Sequence, residues 1–169
     1  TDQWLGKTIV WKDRLQTVEK LSDFRIQGSI SLVLEKDSFI GNFDCTNSYS
    51  SSEFIVRDYF GNLVFQDDLK NTKFRDLYSV LSASETDHDF FESGQINFLD
   101  WLLATPSDVN QQQLTFDDRG YLIEIKYPGL TIRYDSFQEL NDIVIPRKII
   151  ILGQSFRLTL VSNRLEIVS

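Results

Sequence analysis

A single histidine and a single cysteine restrict the chemistry open to this chain. His88 stands between Asp87 and Asp89, and Cys45 follows Asn42-Phe43-Asp44 in a run of alternating character. A zinc or transition-metal site draws on several imidazole or thiolate ligands, which one of each, far apart in the chain, do not supply. An acid-flanked histidine in a polar run reads as a solvated side chain. A lone cysteine in a strand reads as a small buried residue, and it can form no internal disulfide. The densest carboxylate pair, Asp117-Asp118, has the residue types for glycoside hydrolysis. It precedes Arg119-Gly120, and carboxylates in such a turn bond the local backbone. The chain contains no Gly-x-Ser-x-Gly elbow, no phosphate-binding glycine loop and no His-Glu-x-x-His pair. No nucleophile can be matched with a base. The chain is therefore expected not to be an enzyme and to need neither metal nor cofactor.

What the residues offer instead is apolar volume. Of 169 residues, 13 are Phe, 6 Tyr and 3 Trp, while Met is absent. That aromatic volume must be packed inside or line a space, and the length suffices for one domain over residues 1–169 with a sizeable core. The net charge is -8, which repels phosphate backbones and argues against nucleic acid as a partner. The acidity is local: residues 35–100 hold thirteen acidic and five basic side chains, residues 101–169 eight and seven. No apolar run approaches the roughly 20 residues of a membrane-spanning helix.

The elements follow from hydrophobic periodicity. Trp4, Thr8, Trp11, Leu15 and Val18 fall on one side of a helix, although Gly6 and Thr8 leave residues 1–7 readable as a loose arm. Alternation marks strands over Ile26–Leu34 and Phe39–Thr46, and shorter apolar runs mark strands at Phe54–Val56 and Leu63–Phe65. Phe74–Leu81 is expected to be a further strand. Ser84–Ser93 reads as a short acidic helix ending at Gly94, and Asn97 followed by Asp100 as a helix cap. Phe98, Leu99, Trp101, Leu102 and Leu103 then make a short helix that is apolar nearly all round and ends before Pro106. Strands return at Leu114–Phe116, Tyr121–Tyr127 and Leu130–Tyr134. After a polar link they resume at Ile149–Leu152 and Phe156–Leu160. This order predicts a mainly β fold: a strongly curved antiparallel sheet forming an unclosed barrel, covered by a lid of short helices.

Several features in order resemble the LolB family, the outer-membrane receptors that accept lipoproteins from a periplasmic carrier. They are Trp11, Val18, Leu21, Phe24 and Gly28 at the start, and then the loop Asp58-Tyr59-Phe60-Gly61. The Trp-bearing segment from Phe98 to Pro106, the hairpin from Asp117 to Ile125 and Ile145-Pro146-Arg147-Lys148-Ile149 complete the set. The resemblance implies an apolar space beneath the lid that holds lipoprotein acyl chains. Trp11, Phe43, Phe54, Val56, Phe98, Trp101, Leu102, Ile123, Ile125, Tyr134 and Leu158 are its expected walls. Tyr59, Phe60 and Gly61 are the expected membrane-insertion loop.

The partners so implied are lipoprotein acyl chains, a LolA-like periplasmic carrier and the inner leaflet of the outer membrane, with the protein a monomer. The implied location is the periplasmic face of that membrane, with an N-terminal acylated Cys expected upstream of Thr1. Two other readings remain open at this point: a LolA-like carrier and a lipocalin-like carrier of small apolar ligands. An exposed aromatic pair at Tyr59-Phe60 would favour the receptor.

Overall fold

A computed structural model of the chain describes residues 14, 18, 23–83, 97–105, 113–140 and 143–167. Nine strands form one antiparallel sheet: β1 (Phe24–Leu34), β2 (Ser38–Asn47), β3 (Ser52–Asp58), β4 (Leu63–Asp67), β5 (Gln113–Phe116), β6 (Leu122–Tyr127), β7 (Leu130–Leu140), β8 (Ile143–Leu152) and β9 (Phe156–Ile167). Their spatial order is β4-β3-β2-β1-β9-β8-β7-β6-β5, so the first and last strands meet in the middle and the sheet stays open at β4 and β5. Among the described residues, two helices, α1 (Phe74–Ser82) and α2 (Phe98–Leu102), lie in the chain between those edge strands. The segment that carries them leads from one open edge to the other.

Period-2 burial explains the sheet. Along β1, Phe24, Ile26, Ile30 and Leu32 turn inward and Arg25, Gln27, Ser29 and Ser31 outward. One cluster gathers the inward residues of all nine strands with Phe74, Leu77, Tyr78, Leu81, Phe98, Trp101 and Leu102 from the helices. The sheet bends where residues are inserted: at Gln27/Gly28 against β9, at Val56/Arg57 against β4, and around Ser136 between β7 and β8. At Gly28 a Cβ would come within 1.9 Å of the Val161 carbonyl oxygen, so only glycine fits this bulge.

Four expectations need correction. Phe74–Leu81 is not a strand but α1. Its buried residues Phe74, Leu77, Tyr78 and Leu81 stand at i, i+3, i+4 and i+7, the helical period. The polar link before Ile149 is also strand, because β7 runs on to Leu140 and β8 starts at Ile143. Pro146 is tolerated because this part of β8 pairs with β7 alone and β9 joins only from Lys148. In β6 the inward positions are Leu122, Ile125 and Tyr127, with Ile123 left outside the buried cluster. A register shift opposite Thr115/Phe116 breaks the strict alternation there. Asn97 does occupy the cap position of α2, but its side chain makes no cap bond and accepts from Lys73 Nζ at 2.6 Å instead.

Of the expected N-terminal helix, Arg14 and Val18 are described and helical. Trp4, Trp11, the arm at 1–7, His88 and the acidic helix at 84–93 lie outside the described residues.

Candidate functional site: an apolar interior under two helices and an exposed aromatic hairpin tip

Of the expected wall residues, all but Ile123 and Trp11 lie on one side of the sheet, Ile123 standing outside the buried cluster and Trp11 outside the described residues. Phe43 of β2 and Phe54 and Val56 of β3 are inward, as are Ile125 of β6, Tyr134 of β7 and Leu158 of β9. Phe98, Trp101 and Leu102 reach them from α2. Ring contacts fall into two sets, one around Phe54 and one around Phe74 and Trp101. Phe43 stacks on Phe54 at 6.2 Å and Phe54 meets Phe98 at 5.4 Å. Trp101 meets both Phe74 and Tyr127, at 5.4 and 5.9 Å, and Phe74 and Tyr78 close on Phe156. Phe54, Val56, Phe98, Trp101 and Ile125 expose none of their surface, so no water-sized space borders them. Among the described residues, Phe74, Leu77, Tyr78, Phe98, Trp101 and Leu102 of the two helices pack into this cluster.

Polar atoms inside this core are paired in ways that hold α2 to the sheet. Trp101 Nε1 donates to the Tyr127 hydroxyl at 3.2 Å, and the Tyr134 hydroxyl donates to the Trp101 carbonyl at 2.6 Å. Burial pushes both tyrosine hydroxyls above their ordinary pKa, Tyr134 far above, so both remain protonated. The two helices are tied at their starts, where Phe98 N–H donates to the Thr72 carbonyl at 2.8 Å and Lys73 bridges to Asn97. Asp100 sits half-buried in α2. Burial raises its pKa, and Lys73 partly opposes the rise.

Arg14, which no sequence pattern singled out, is a further tie. Its Nε donates to the Val144 carbonyl at 2.7 Å and its Nη2 to the Leu103 carbonyl at 3.0 Å; Nη2 also reaches Val144, and Nη1 reaches Ala104 at 3.5 Å. The guanidinium thus joins the N-terminal helix to the chain leaving α2 and to the start of β8. Burial lowers its pKa to about 10, with the nearby Tyr134 and Tyr121 acting in the opposite direction. Leu122 and the α1 face were also missed, the first because a bulge shifted the period and the second because its period was misread.

The tip between β3 and β4 has the opposite character. Tyr59 is 77% and Phe60 85% exposed, and their rings meet edge to face at 5.6 Å. Asp58 organises this turn by accepting N–H bonds from Phe60 and Asn62. Gly61 takes the left-handed φ of +87° that closes it. The Asn62 backbone N–H and then its side-chain amide hold the Asp58 carboxyl below its ordinary pKa.

The remaining sequence candidates are structural. Cys45 is fully buried in β2, and burial raises its thiol pKa well above normal. Asp117 accepts N–H bonds from Arg119 and Tyr121 and a side-chain pair from Arg119. Among the described residues no group of carboxylate, histidine and cysteine side chains could hold a metal. A polar recess of about 550 Å³, lined by residues 50–53 and 66–68, lies at the opposite end of β3 and β4 from the aromatic tip.

Residues 96–164 match the family model described as outer membrane lipoprotein LolB. That stretch contains α2, the Asp117–Gly120 hairpin and Pro146, but not the Asp58–Gly61 loop. No curated protein matches the chain in sequence. Among solved structures, a LolA superfamily protein from Nitrosomonas europaea is similar in fold, with a TM-score of 0.50 at 9% identity, over 88% of this chain and 87% of that one. A domain described as an outer membrane lipoprotein-sorting protein from Vibrio parahaemolyticus gives a TM-score of 0.52 at 8% identity, over 95% and 91%. The chain is therefore similar in sequence to the LolB family through residues 96–164, and its fold is similar to those of the two solved structures.

Proposed function

We propose that this protein serves outer-membrane lipoprotein localisation: it takes the acyl chains of a lipoprotein beneath α1 and α2 and releases them into a membrane through the Tyr59-Phe60 tip. The observation that carries the reading is the helical segment laid across an apolar concave face between two open sheet edges. Similarity to the LolB family over residues 96–164 supports it. An acyl chain offers almost nothing to hydrogen-bond, so walls of Phe, Val, Ile and Leu suit it. Burial stabilises it by about 0.8 kcal/mol per CH₂, so transfer can be driven by differences between cavities without a nucleotide. Because the interior is filled by Phe98 and Trp101, entry requires α2 to lift and the acyl chains to take the place of its side chains. The exposed tip favours a receptor over a carrier. Exposed aromatics are disfavoured in water and favoured at a membrane interface.

Two measurements test this reading. An environment-sensitive apolar dye should bind the native protein and be displaced by a diacyl lipopeptide at micromolar levels, with a shift in tryptophan fluorescence as Trp101 moves. Failure of every acyl ligand to compete would end the acyl-binding part. Phe60→Glu should fold, bind dye and accept a lipoprotein, yet fail to place it in liposomes, while Phe60→Leu should deliver normally. Delivery by Phe60→Glu at the wild-type rate would favour a LolA-like carrier.

A further inference from the structure

The apolar surface does not stop at the hairpin tip. β2 and β3 pair last at Gly41 and Asp58, so Ile40 lies beside Tyr59 on the outward face of the sheet. Ile40 is 62% exposed. Val33 of β1 and Leu63 of β4 are exposed on the same face, within two residues of their strand ends. Each of these two faces an arginine: Val33 pairs with Arg157 of β9 and Leu63 with Arg57 of β3. Both arginines are exposed, and among the described residues neither side chain makes a hydrogen bond or an ion pair. The carboxylates nearest the tip, Asp37 and Asp58, accept backbone N–H groups in their own turns. Glu35 and Lys36, of opposite charge, are neighbours in the β1–β2 turn.

We infer that this outward strip, Val33, Ile40 and Leu63 flanked by Arg57 and Arg157, is a docking surface for an anionic lipid bilayer. The inference rests on the reading of the Tyr59-Phe60 tip as the part that enters the membrane, and it names what holds the protein there. Charge complementarity selects the occupant. A chain of net charge -8 should be repelled by an anionic surface, yet its unpaired arginines stand beside the exposed aliphatics. Guanidinium groups bond phosphate oxygens in a fork, while the aliphatic side chains settle at the headgroup level. Along the strand direction the strip lies within about two residues, some 7 Å, of the tip's level, and across the sheet it spans β4 to β9, four strand spacings or about 19 Å, so both can touch one surface at once.

Flotation with vesicles of phosphatidylcholine alone and of phosphatidylcholine mixed with phosphatidylglycerol tests the strip. Wild type should bind the mixed vesicles more tightly, with the difference vanishing at high salt. Arg57→Gln with Arg157→Gln should lose affinity for mixed vesicles roughly fivefold per arginine and keep its binding to neutral ones. Ile40→Asp should weaken both. Dye binding shows that each variant is folded. Wild-type binding of mixed vesicles by the double arginine variant would overturn the inference. So would an Ile40→Asp variant that binds vesicles normally but changes the oligomeric state, since the strip would then meet a second copy of the chain. Phe60→Glu keeps the two readings apart. If it loses neutral-vesicle binding while the arginine variant is unchanged, the tip stands and the strip falls. If it binds neutral vesicles normally, the tip reading falls and the arginine result alone decides the strip.

Discussion

The backbone N–H of Phe60 donates to Asp58 Oδ1 at 2.9 Å, and this one oxygen also accepts the N–H of Asn62 at 2.9 Å. The hairpin at Asp117 repeats the arrangement: Asp117 Oδ1 accepts from Arg119 at 2.9 Å and Tyr121 at 3.0 Å. Gly120 has φ +86° where Gly61 has +87°. Two turns of one design therefore carry different tips, Tyr-Phe in one and Asp-Arg in the other. The backbone geometry belongs to the turn, and the aromatic tip is an addition to it.

This pair of turns supplies an internal control. Asp58→Ala should loosen the aromatic tip and slow delivery to liposomes while leaving dye binding intact. Asp117→Ala should disturb its own hairpin and leave delivery unchanged. Equal delivery by the two variants would show that order at the Tyr59-Phe60 tip does not matter.

Arg14→Met should free the chain after α2 from the N-terminal helix and from β8. It removes charge-assisted bonds to three carbonyls, and about 2 kcal/mol of stability is expected to go with them. Acyl dye should enter faster than in wild type because α2 lifts more readily. Stopped-flow dye uptake and thermal unfolding measure the two effects. Unchanged uptake would show that Arg14 only braces the fold.

Tyr134→Phe removes the donor to the Trp101 carbonyl in a fully packed setting. A loss of about 1 kcal/mol is expected, with a tryptophan emission shifted toward that of the dye-bound state. If emission does not change, the Trp101–Tyr134 contact does not hold α2 down.

Asp100 makes stability depend on pH in a defined direction. Burial, opposed by Lys73, raises its pKa in the folded state above that of the unfolded chain. Between those two values the folded protein holds a proton that the unfolded chain has released, so stability is lost as pH rises through the window and regained as it falls. Asp100→Asn should remove this dependence and be more stable than wild type at neutral pH. Thermal midpoints measured across pH should converge in acid and separate above the window. A constant difference would assign the effect to another group.

Phe43→Asp and Ile125→Asp each place a charge in a fully packed interior, where an unpaired charge costs several kcal/mol. Both variants should lose stability, dye binding or both, as read by denaturant unfolding and dye titration. Normal behaviour of both would contradict the inward placement of these two positions.

The alternation of Ile26 to Leu34 and of Phe39 to Thr46 identified β1, β2 and their inward faces, because a half-buried strand shows its period locally. The Asp-x-x-Gly turns were legible for the same reason: a carboxylate and a glycine with positive φ make the turn without outside help. The hairpin tip was thus visible as a sequence feature, while the exposure of Tyr59 and Phe60 came from the structure. Residue type and spacing also excluded the common catalytic motifs from the start.

Other features depended on contacts between distant parts of the chain. Whether Leu122 or Ile123 faces inward depends on a bulge opposite Thr115/Phe116, which is a property of two strands. Phe74–Leu81 has residues compatible with either period, and docking of Phe74 and Tyr78 against Phe156 of the last strand selects the helix. Arg14 acquires its role from carbonyls some 90 and 130 residues away. The outward strip exists only because β1, β2, β3, β4 and β9 end side by side. The sequence by itself determined the strand period, the turns and the apolar content, since these follow from neighbouring residues. Tertiary structure decided which residues fill the concave side and which meet at the tip, because those depend on register between strands that no local pattern specifies.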